Sequence, residues 1–267
     1  MYLTVLIPAY NEEDRIRGTL EVYARAVADL DAEIVVVVNG SNDKTEALIR
    51  EEYLSRIPRL RLVVIPEKVG KGGAIMRGLS EARGEKIAFT DADGSTPPSS
   101  LLSLVESLKT SGICIGSRWM SESKIGRAQP LSRQVASRLF NGLVHMMFGV
   151  HVSDTQCGAK VMTRDAMAAV LPKLGCTQWA FDVELLFQIQ KAGFPILEKP
   201  IEWNDVSGSK VRVFRCSLEM IGALLRLRVL YSPLRCMVKA WDKTFGSRLF
   251  HRRLERMEAV YRRRPDE

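Results

Sequence analysis

Five short apolar runs, separated by segments of helical periodicity, constrain this chain more than any other feature. Tyr2 to Ile7, Glu33 to Val38, Leu60 to Ile65, Lys86 to Thr90 and Ile113 to Ser117 are rich in Val and Ile and nearly continuous, as strands buried on both faces are. Helical patterns fill the intervals at about residues 12–29, 43–56, 71–83 and 98–110. Such alternation predicts an α/β fold, a mainly parallel sheet covered by helices. At 267 residues and 46% apolar content the chain can bury a full core, enough for one large domain or one domain with an appendage. In such sheets ligands collect beyond the carboxyl ends of the strands, so the polar residues that follow each run are the first candidates for a site.

The most informative of these ends is Ile87-Ala88-Phe89-Thr90-Asp91-Ala92-Asp93-Gly94, an apolar strand closing in two carboxylates. Side chains at i and i+2 leave a strand on one face. Asp91 and Asp93 can therefore converge on one hard divalent cation, of the kind a nucleotide diphosphate carries. A surface turn also favours Asp and Gly, so the remaining strand ends carry the argument. After the first strand, Pro8-Ala9-Tyr10-Asn11-Glu12 offers Tyr10 to stack on a base, and Glu12 to accept from a ribose or to cap a helix. After the second, Asn39 opens a turn in which an amide can read a base edge. Gly70-Lys71-Gly72-Gly73 then supplies backbone N–H groups and one cation for phosphate. It fits neither the Walker pattern nor the dinucleotide fingerprint, which speaks against an ATPase and a dehydrogenase.

Residues 118–130, rich in Ser, Lys, Arg and Gly, read as a lid loop bracketed by Arg118, Arg127 and Arg133, whose guanidinium groups suit phosphate. A helix follows from about Leu131 to Phe148 and another from about Phe181 to Ala192, with a short strand near Pro195 to Lys199. Asp154-Thr155-Gln156-Cys157-Gly158, and Trp179 with Asp182 and Glu184, join carboxylates, an amide and an aromatic plate as sugar sites do; a buried Trp and helix-capping acids are the structural alternative. Lys210 follows the turn Ser207-Gly208-Ser209 and can close on a diphosphate.

The net charge of +8 is unevenly placed. From Ser209 onward there are 15 Lys and Arg against 6 Asp and Glu, while the first 208 residues are nearly neutral at 24 against 25. After Val213 the chain turns amphipathic: Leu234, Met237, Val238, Trp241 and Phe245 fall at helical spacing, and Leu249, Phe250, Leu254, Met257 and Tyr261 repeat it among arginines. We therefore divide the chain into a domain over residues 1–213 and a basic helical tail over 214–267. The tail suits an anionic membrane surface, or packs back on the domain. A nucleic-acid partner is not expected, because the near-neutral domain lacks the basic face such proteins present. Five cysteines with no Cys-x-x-Cys pair suggest neither a disulfide framework nor a zinc site, and no secretory signal follows Met1. The expected place is the cytoplasm, peripheral on the cytoplasmic face of a membrane.

Six segments in order now carry a family resemblance: Val69 to Ala74, Asp91 to Gly94, Gly116 to Arg118, Asp154 to Lys160, Trp179 to Leu186, and Trp203 with Gly208-Ser209-Lys210. From about Leu3 to Tyr231 the chain resembles inverting glycosyltransferases of family 2 with the GT-A fold, especially dolichyl-phosphate β-glucosyltransferases. The resemblance implies a nucleotide-sugar donor, UDP-glucose before GDP-mannose, together with Mg2+ or Mn2+ and a polyprenyl phosphate acceptor such as dolichyl phosphate. It places Pro8, Tyr10 and Glu12 on the nucleoside, Asp91 and Asp93 on the metal and diphosphate, Lys210 on the leaving phosphates, and Arg118 and Arg133 on the acceptor phosphate. Gln156, Trp179, Asp182 and Glu184 fall to the sugar. Where the family usually has an acidic pair before Gly-Ser, this chain has Val38-Asn39, which leaves the base open. The neighbouring activities are dolichyl-phosphate mannose synthesis and elongation of a glycan; a sugar-1-phosphate nucleotidyltransferase is more distant.

Overall fold

The computed structural model describes residues 1–126, 130–175, 178, 180–205, 213–234 and 236. In chain order the elements are β1 (Leu3–Ala9), α1 (Ile16–Ala26), β2 (Ala32–Asn39), α2 (Thr45–Leu48), β3 (Leu60–Ile65), α3 (Gly70–Glu81), β4 (Lys86–Phe89), α4 (Pro98–Ser107) and β5 (Ile113–Ser117). They continue with β6 (Lys124–Ile125), α5 (Leu131–Phe148), β7 (Lys160–Thr163), α6 (Arg164–Val170), α7 (Phe181–Lys191), β8 (Ile196–Pro200), β9 (Glu202–Trp203) and α8 (Val213–Leu230).

Seven strands make one sheet in the order β3-β2-β1-β4-β7-β5-β8, and β6 pairs separately with β9. Within the large sheet every pairing is parallel except those of β7, which runs antiparallel to β4 and β5. The five strands and the alternating helices read from the sequence are present. β7, α6 and the β6–β9 pair were not read, because four residues starting at a lysine inside a polar motif carry no strand signal.

Strand alternation builds a core on each face. Leu3, Val5 and Ile7 of β1, with Ile34, Val36 and Val38 of β2, meet Ile16 and Leu20 of α1 and Leu101 and Leu104 of α4. Leu6, Val35 and Val37 point the other way, toward Ile75 and Leu79 of α3 and a cluster that includes Phe181, Leu185 and Ile189 of α7. Each fully buried side chain of this size contributes about 1.5–3 kcal/mol. The central strands are thus held on both sides, and residues at their tips inherit fixed positions. Chain order reverses across β1, with β2 on one side and β4 on the other; crevices for ligands open at such a switch point.

The division at residue 213 is softer in the structure than in the sequence. Leu224 and Leu227 of α8 are buried in the same cluster as α7, with Met220, Ala223 and Tyr231 packed beside them. The helix α8, which opens the tail, is thus part of the domain's packing. Residues 237–267, with all of the first apolar stripe but Leu234 and the whole of the second, lie outside the described residues. Among the described residues no helix is long and apolar enough to cross a membrane.

Candidate active site

Asp91 and Asp93 follow β4 directly at the switch point, and the chain turns there through Gly94 at φ +73°. Asp93 Oδ1 accepts from Ser95 N at 3.0 Å, which fixes that turn. Asp91 Oδ1 lies 2.5 Å from Lys71 Nζ in the first turn of α3, and the two side chains are 34% and 36% exposed. The pair is thus reachable from outside. Opposite it stands Gly158: a Cβ there would sit 2.0 Å from Asp91 Oδ2, so only glycine leaves the carboxylate its place.

Burial alone would raise the Asp91 pKa, but Lys71, Lys160 and Arg118 together outweigh it and hold the carboxyl below its ordinary range. Burial likewise works against the Lys71 ammonium, and Asp91, Asp182 and Asp93 more than offset it, so its pKa is raised. Glu12 differs. Burial is the leading cause that pushes it up to about 6, opposed by Arg15 and reinforced by Asp93 and Asp91. Its Oε2 lies 2.7 Å from Arg15 Nε.

The loops after β1 and β2 are stitched together. Asn11, at φ 54°, receives the Asn42 N–H on its Oδ1 and gives its own N–H to Ser41 Oγ. Glu12 N donates to Thr45 Oγ1 at 2.8 Å. Pro8 is buried within β1. Tyr10, at its tip, is exposed with Lys68 Nζ 3.7 Å from its ring centroid. Asn39 is buried and spends its amide internally: Nδ2 donates to Ala9 O at 3.1 Å and Oδ1 accepts from Gly70 N at 3.2 Å. It ties the first strand to the glycine-rich helix start.

Arg118, at the end of β5, is gripped by Asp154. Nε donates to Oδ2 at 2.7 Å, Nη2 to Oδ1 at 2.9 Å, and the Arg118 N–H adds a third bond to Oδ2. Burial counts against the Arg118 charge, but the Asp154 carboxylate overcomes it and raises its pKa. The guanidinium carbon also lies 5.3 Å from the Trp203 ring centroid. Arg133, in the first turn of α5, reaches Asp205 Oδ1 at 4.0 Å.

Beneath these groups Lys160 is fully buried, donating to Asp182 Oδ1 at 2.6 Å and to the Cys157 carbonyl. Asp182 therefore faces a lysine under the site. Glu184 accepts from Gly175 N at 2.8 Å and from the Tyr231 hydroxyl at 2.6 Å, which joins α7 to the residue after α8. Gln156 is half-buried in the loop before Gly158. Trp179, Arg127 and Lys210 lie outside the described residues. Reasoning from sequence missed Gly158, Asp154 and Lys160 as supports of Asp91 and Arg118. A glycine and a lysine within four residues of a polar motif are the signal that was there to follow.

Among the described residues no three or more His, Cys, Asp or Glu side chains gather in a way that would hold a metal. The two acids after β4 match the usage of Mg2+-type ions, which take one or two carboxylates and complete their shell with water and substrate phosphate. Among the described residues of the crevice, Glu12 pairs with Arg15, Asp91 with Lys71, Asp154 with Arg118 and Asp182 with Lys160, and no basic partner takes Asp93 in an ion pair. A divalent cation on Asp91 and Asp93 would add positive charge there and admit an anion.

A mainly parallel sheet of this order, with carboxylates at its switch point, is an α/β fold of the GT-A type. The description of Glycosyl transferase family 2 matches residues 4–171, and the chain belongs to this family. It is 33% identical over 245 residues to a dolichyl-phosphate beta-glucosyltransferase of Homo sapiens, covering 86% of this chain and 75% of that one. The protein of the same name in Dictyostelium discoideum is 30% identical over 246 residues, at 86% and 75% coverage. Among solved structures, glucosyl-3-phosphoglycerate synthase of Mycobacterium tuberculosis in complex with uridine diphosphate superposes with a TM-score of 0.64 at 18% identity, covering 87% of this chain and 82% of that one. The same enzyme has been crystallised with Mn2+, UDP-glucose and phosphoglyceric acid, again with a TM-score of 0.64. These structures share the fold, and the chain is a glycosyltransferase.

Proposed function

We propose that this glycosyltransferase moves glucose from UDP-glucose to a polyprenyl phosphate such as dolichyl phosphate, with inversion at the anomeric carbon, and releases UDP. The observation that carries the reading is the Lys71–Asp91 pair, one-third open at the switch point with Gly158 pressed against the carboxylate. The relatives named dolichyl-phosphate beta-glucosyltransferase support the choice of sugar and acceptor.

Tyr10 offers its ring to the base once Lys68 moves aside, and Pro8 and Glu12 hold the nucleoside end. Asn39 acts at one remove, by shaping the loop that joins Ala9 to Gly70. Asp91 and Asp93 are the residues that would hold Mg2+ or Mn2+; when bound, the ion supplies charge neutralisation to the departing diphosphate. Lys71 turns from Asp91 to a phosphate oxygen, and Lys210 is the second cation proposed for the departing diphosphate.

A polyprenyl phosphate is an anion near neutral pH, so one of its oxygens attacks C1 of glucose without a general base. The C1–O bond to UDP breaks as the new C1–O bond forms. What the protein supplies is alignment and fixed charge. Arg118, locked by Asp154, and Arg133 would take the acceptor phosphate; the locked guanidinium loses little freedom when it binds. Gln156, Trp179, Asp182 and Glu184 are the sugar-side candidates. Asp182 contributes through Lys160, and Glu184 through the Gly175 loop. The reaction belongs at the cytoplasmic face of a membrane, where soluble donor and lipid acceptor meet.

The test is direct. Purified protein, a short polyprenyl phosphate and Mg2+ or Mn2+ are incubated separately with UDP-glucose, GDP-mannose and other nucleotide sugars, and products are read by mass and anomeric configuration. Glucosyl polyprenyl phosphate of inverted configuration is expected. A mannosyl lipid alone, a lengthened oligosaccharide or released pyrophosphate would replace the proposal with one of its neighbours.

A further inference from the structure

Helix α5 is apolar on two opposite faces. Phe140, Val144 and Phe148 lie in the core, whereas Leu131, Val135, Leu139 and Met146 are 77%, 57%, 67% and 75% exposed. The spacing of 4, 4 and 7 residues sets those four on a single stripe running the length of the helix. A scattered exposed Leu needs no explanation, but an ordered run of large apolar side chains facing water marks an interaction surface. Helix α8 packs against α5 and exposes Ile221 and Leu225, one turn apart, followed by Leu234 beyond its end.

Charge selects the occupant. α5 contains no Asp or Glu, and Arg138 and His145 are exposed beside its stripe. On α8 Arg228 is exposed, and the chain from Ser209 onward holds 15 basic against 6 acidic residues. On α5, large apolar side chains flanked by arginine and histidine with no acid on the helix describe a helix lying in the interface of an anionic bilayer, and α8 contains one acid, Glu219, against Arg215, Arg226 and Arg228.

Position gives the stripe its use. Leu131 is the first residue of the helix that follows the loop bracketed by Arg118 and Arg133. Arg133, two residues further on, is mostly buried and turned to Asp205 rather than to solvent. We propose that the exposed stripe of α5, supported by Ile221 and Leu225 of α8, is the face on which this protein rests on an anionic lipid bilayer. The proposal rests on the polyprenyl-phosphate reading for its purpose: an acceptor with its chain in the bilayer presents its phosphate beside Arg133 without leaving the interface.

The experiment uses the full chain and two vesicle preparations, phosphatidylcholine alone and phosphatidylcholine with phosphatidylglycerol. Wild type binds the anionic vesicles. The variant Leu131→Gln/Val135→Thr/Leu139→Gln/Met146→Gln loses binding on the order of tenfold or more and loses transfer to vesicle-borne polyprenyl phosphate in step. Its UDP affinity by calorimetry and its melting temperature are unchanged, because the four side chains are exposed. Arg138→Glu with Arg228→Glu removes the preference for anionic over neutral vesicles. Undiminished vesicle binding by the four-site variant would overturn the proposal, as would a wild-type dimer in light scattering that the same variant breaks. Stripe-dependent vesicle binding without transfer to any polyprenyl phosphate would keep the docking face and overturn the acceptor instead.

Discussion

The two ends of the central sheet both hold buried charge and use it differently. At the amino ends of β1 and β2, Glu33 is enclosed by its partners: Oε1 accepts from Thr4 Oγ1 at 2.8 Å and from Arg83 N at 2.7 Å, and Oε2 lies 3.2 Å from Arg61. Thr4 Oγ1 in turn receives the Gly84 N–H, and Arg61 bonds the Glu81 carbonyl and carboxylate. This network is closed and holds strands and turn together. At the carboxyl ends Asp91 and Lys71 are one-third exposed, and Glu12 is pushed up to about 6. The comparison teaches that buried charge by itself does not mark a site. Charge that the protein leaves reachable does.

Four variants break or sharpen that contrast. Asp91→Asn should lower transfer at least a thousandfold, on the scale of losing a central electrostatic group, with the melting temperature within a few degrees of wild type. Unaltered turnover in this variant would move the chemistry elsewhere. Lys71→Met should raise KM for the nucleotide sugar roughly ten- to a hundredfold, the worth of one charge-assisted bond of about 1.5–3 kcal/mol, and leave binding of the lipid acceptor alone.

At the opposite end Glu33→Gln should cost about 1–3 kcal/mol of stability, since it faces donors with a donor, while kcat stays as it was. A changed kcat would erase the distinction between the two ends. The smallest effect is that of Glu12. Its folded pKa lies above the ordinary 4.5, at about 6, so the native state binds the extra proton between those values. Stability that this group provides in acid is lost as pH rises through that window. Glu12→Gln should be more stable than wild type at neutral pH, and the difference should vanish on acidification to about pH 4. Thermal unfolding across pH checks it, and a gap that widens in acid would reverse the sign.

Much of this was legible in the sequence because it depends on local pattern. Val/Ile runs alternating with helical periodicity specified the parallel strands, and strand tips located Tyr10, Glu12, Lys71, Asp91 and Asp93. What escaped depends on partners distant in sequence. β7 is four residues long and gains its identity from β4 and β5 on either side. Arg118 owes its fixed geometry to Asp154, 36 residues away. Asn39 reads as a base-reading amide until Ala9 and Gly70 are seen to occupy it. An apolar stripe looks the same whether core or lipid covers it; burial of Leu224 and Leu227 settles the matter for one face of α8 alone.

The central claim is that the acids after β4 bind a divalent ion together with the diphosphate of the donor. Mn2+ electron paramagnetic resonance, with and without UDP, tests it most directly in wild type and in Asp91→Asn. The account predicts that UDP draws free Mn2+ into a bound signal with wild type and that Asp91→Asn abolishes this. An equal bound signal in the variant would contradict it.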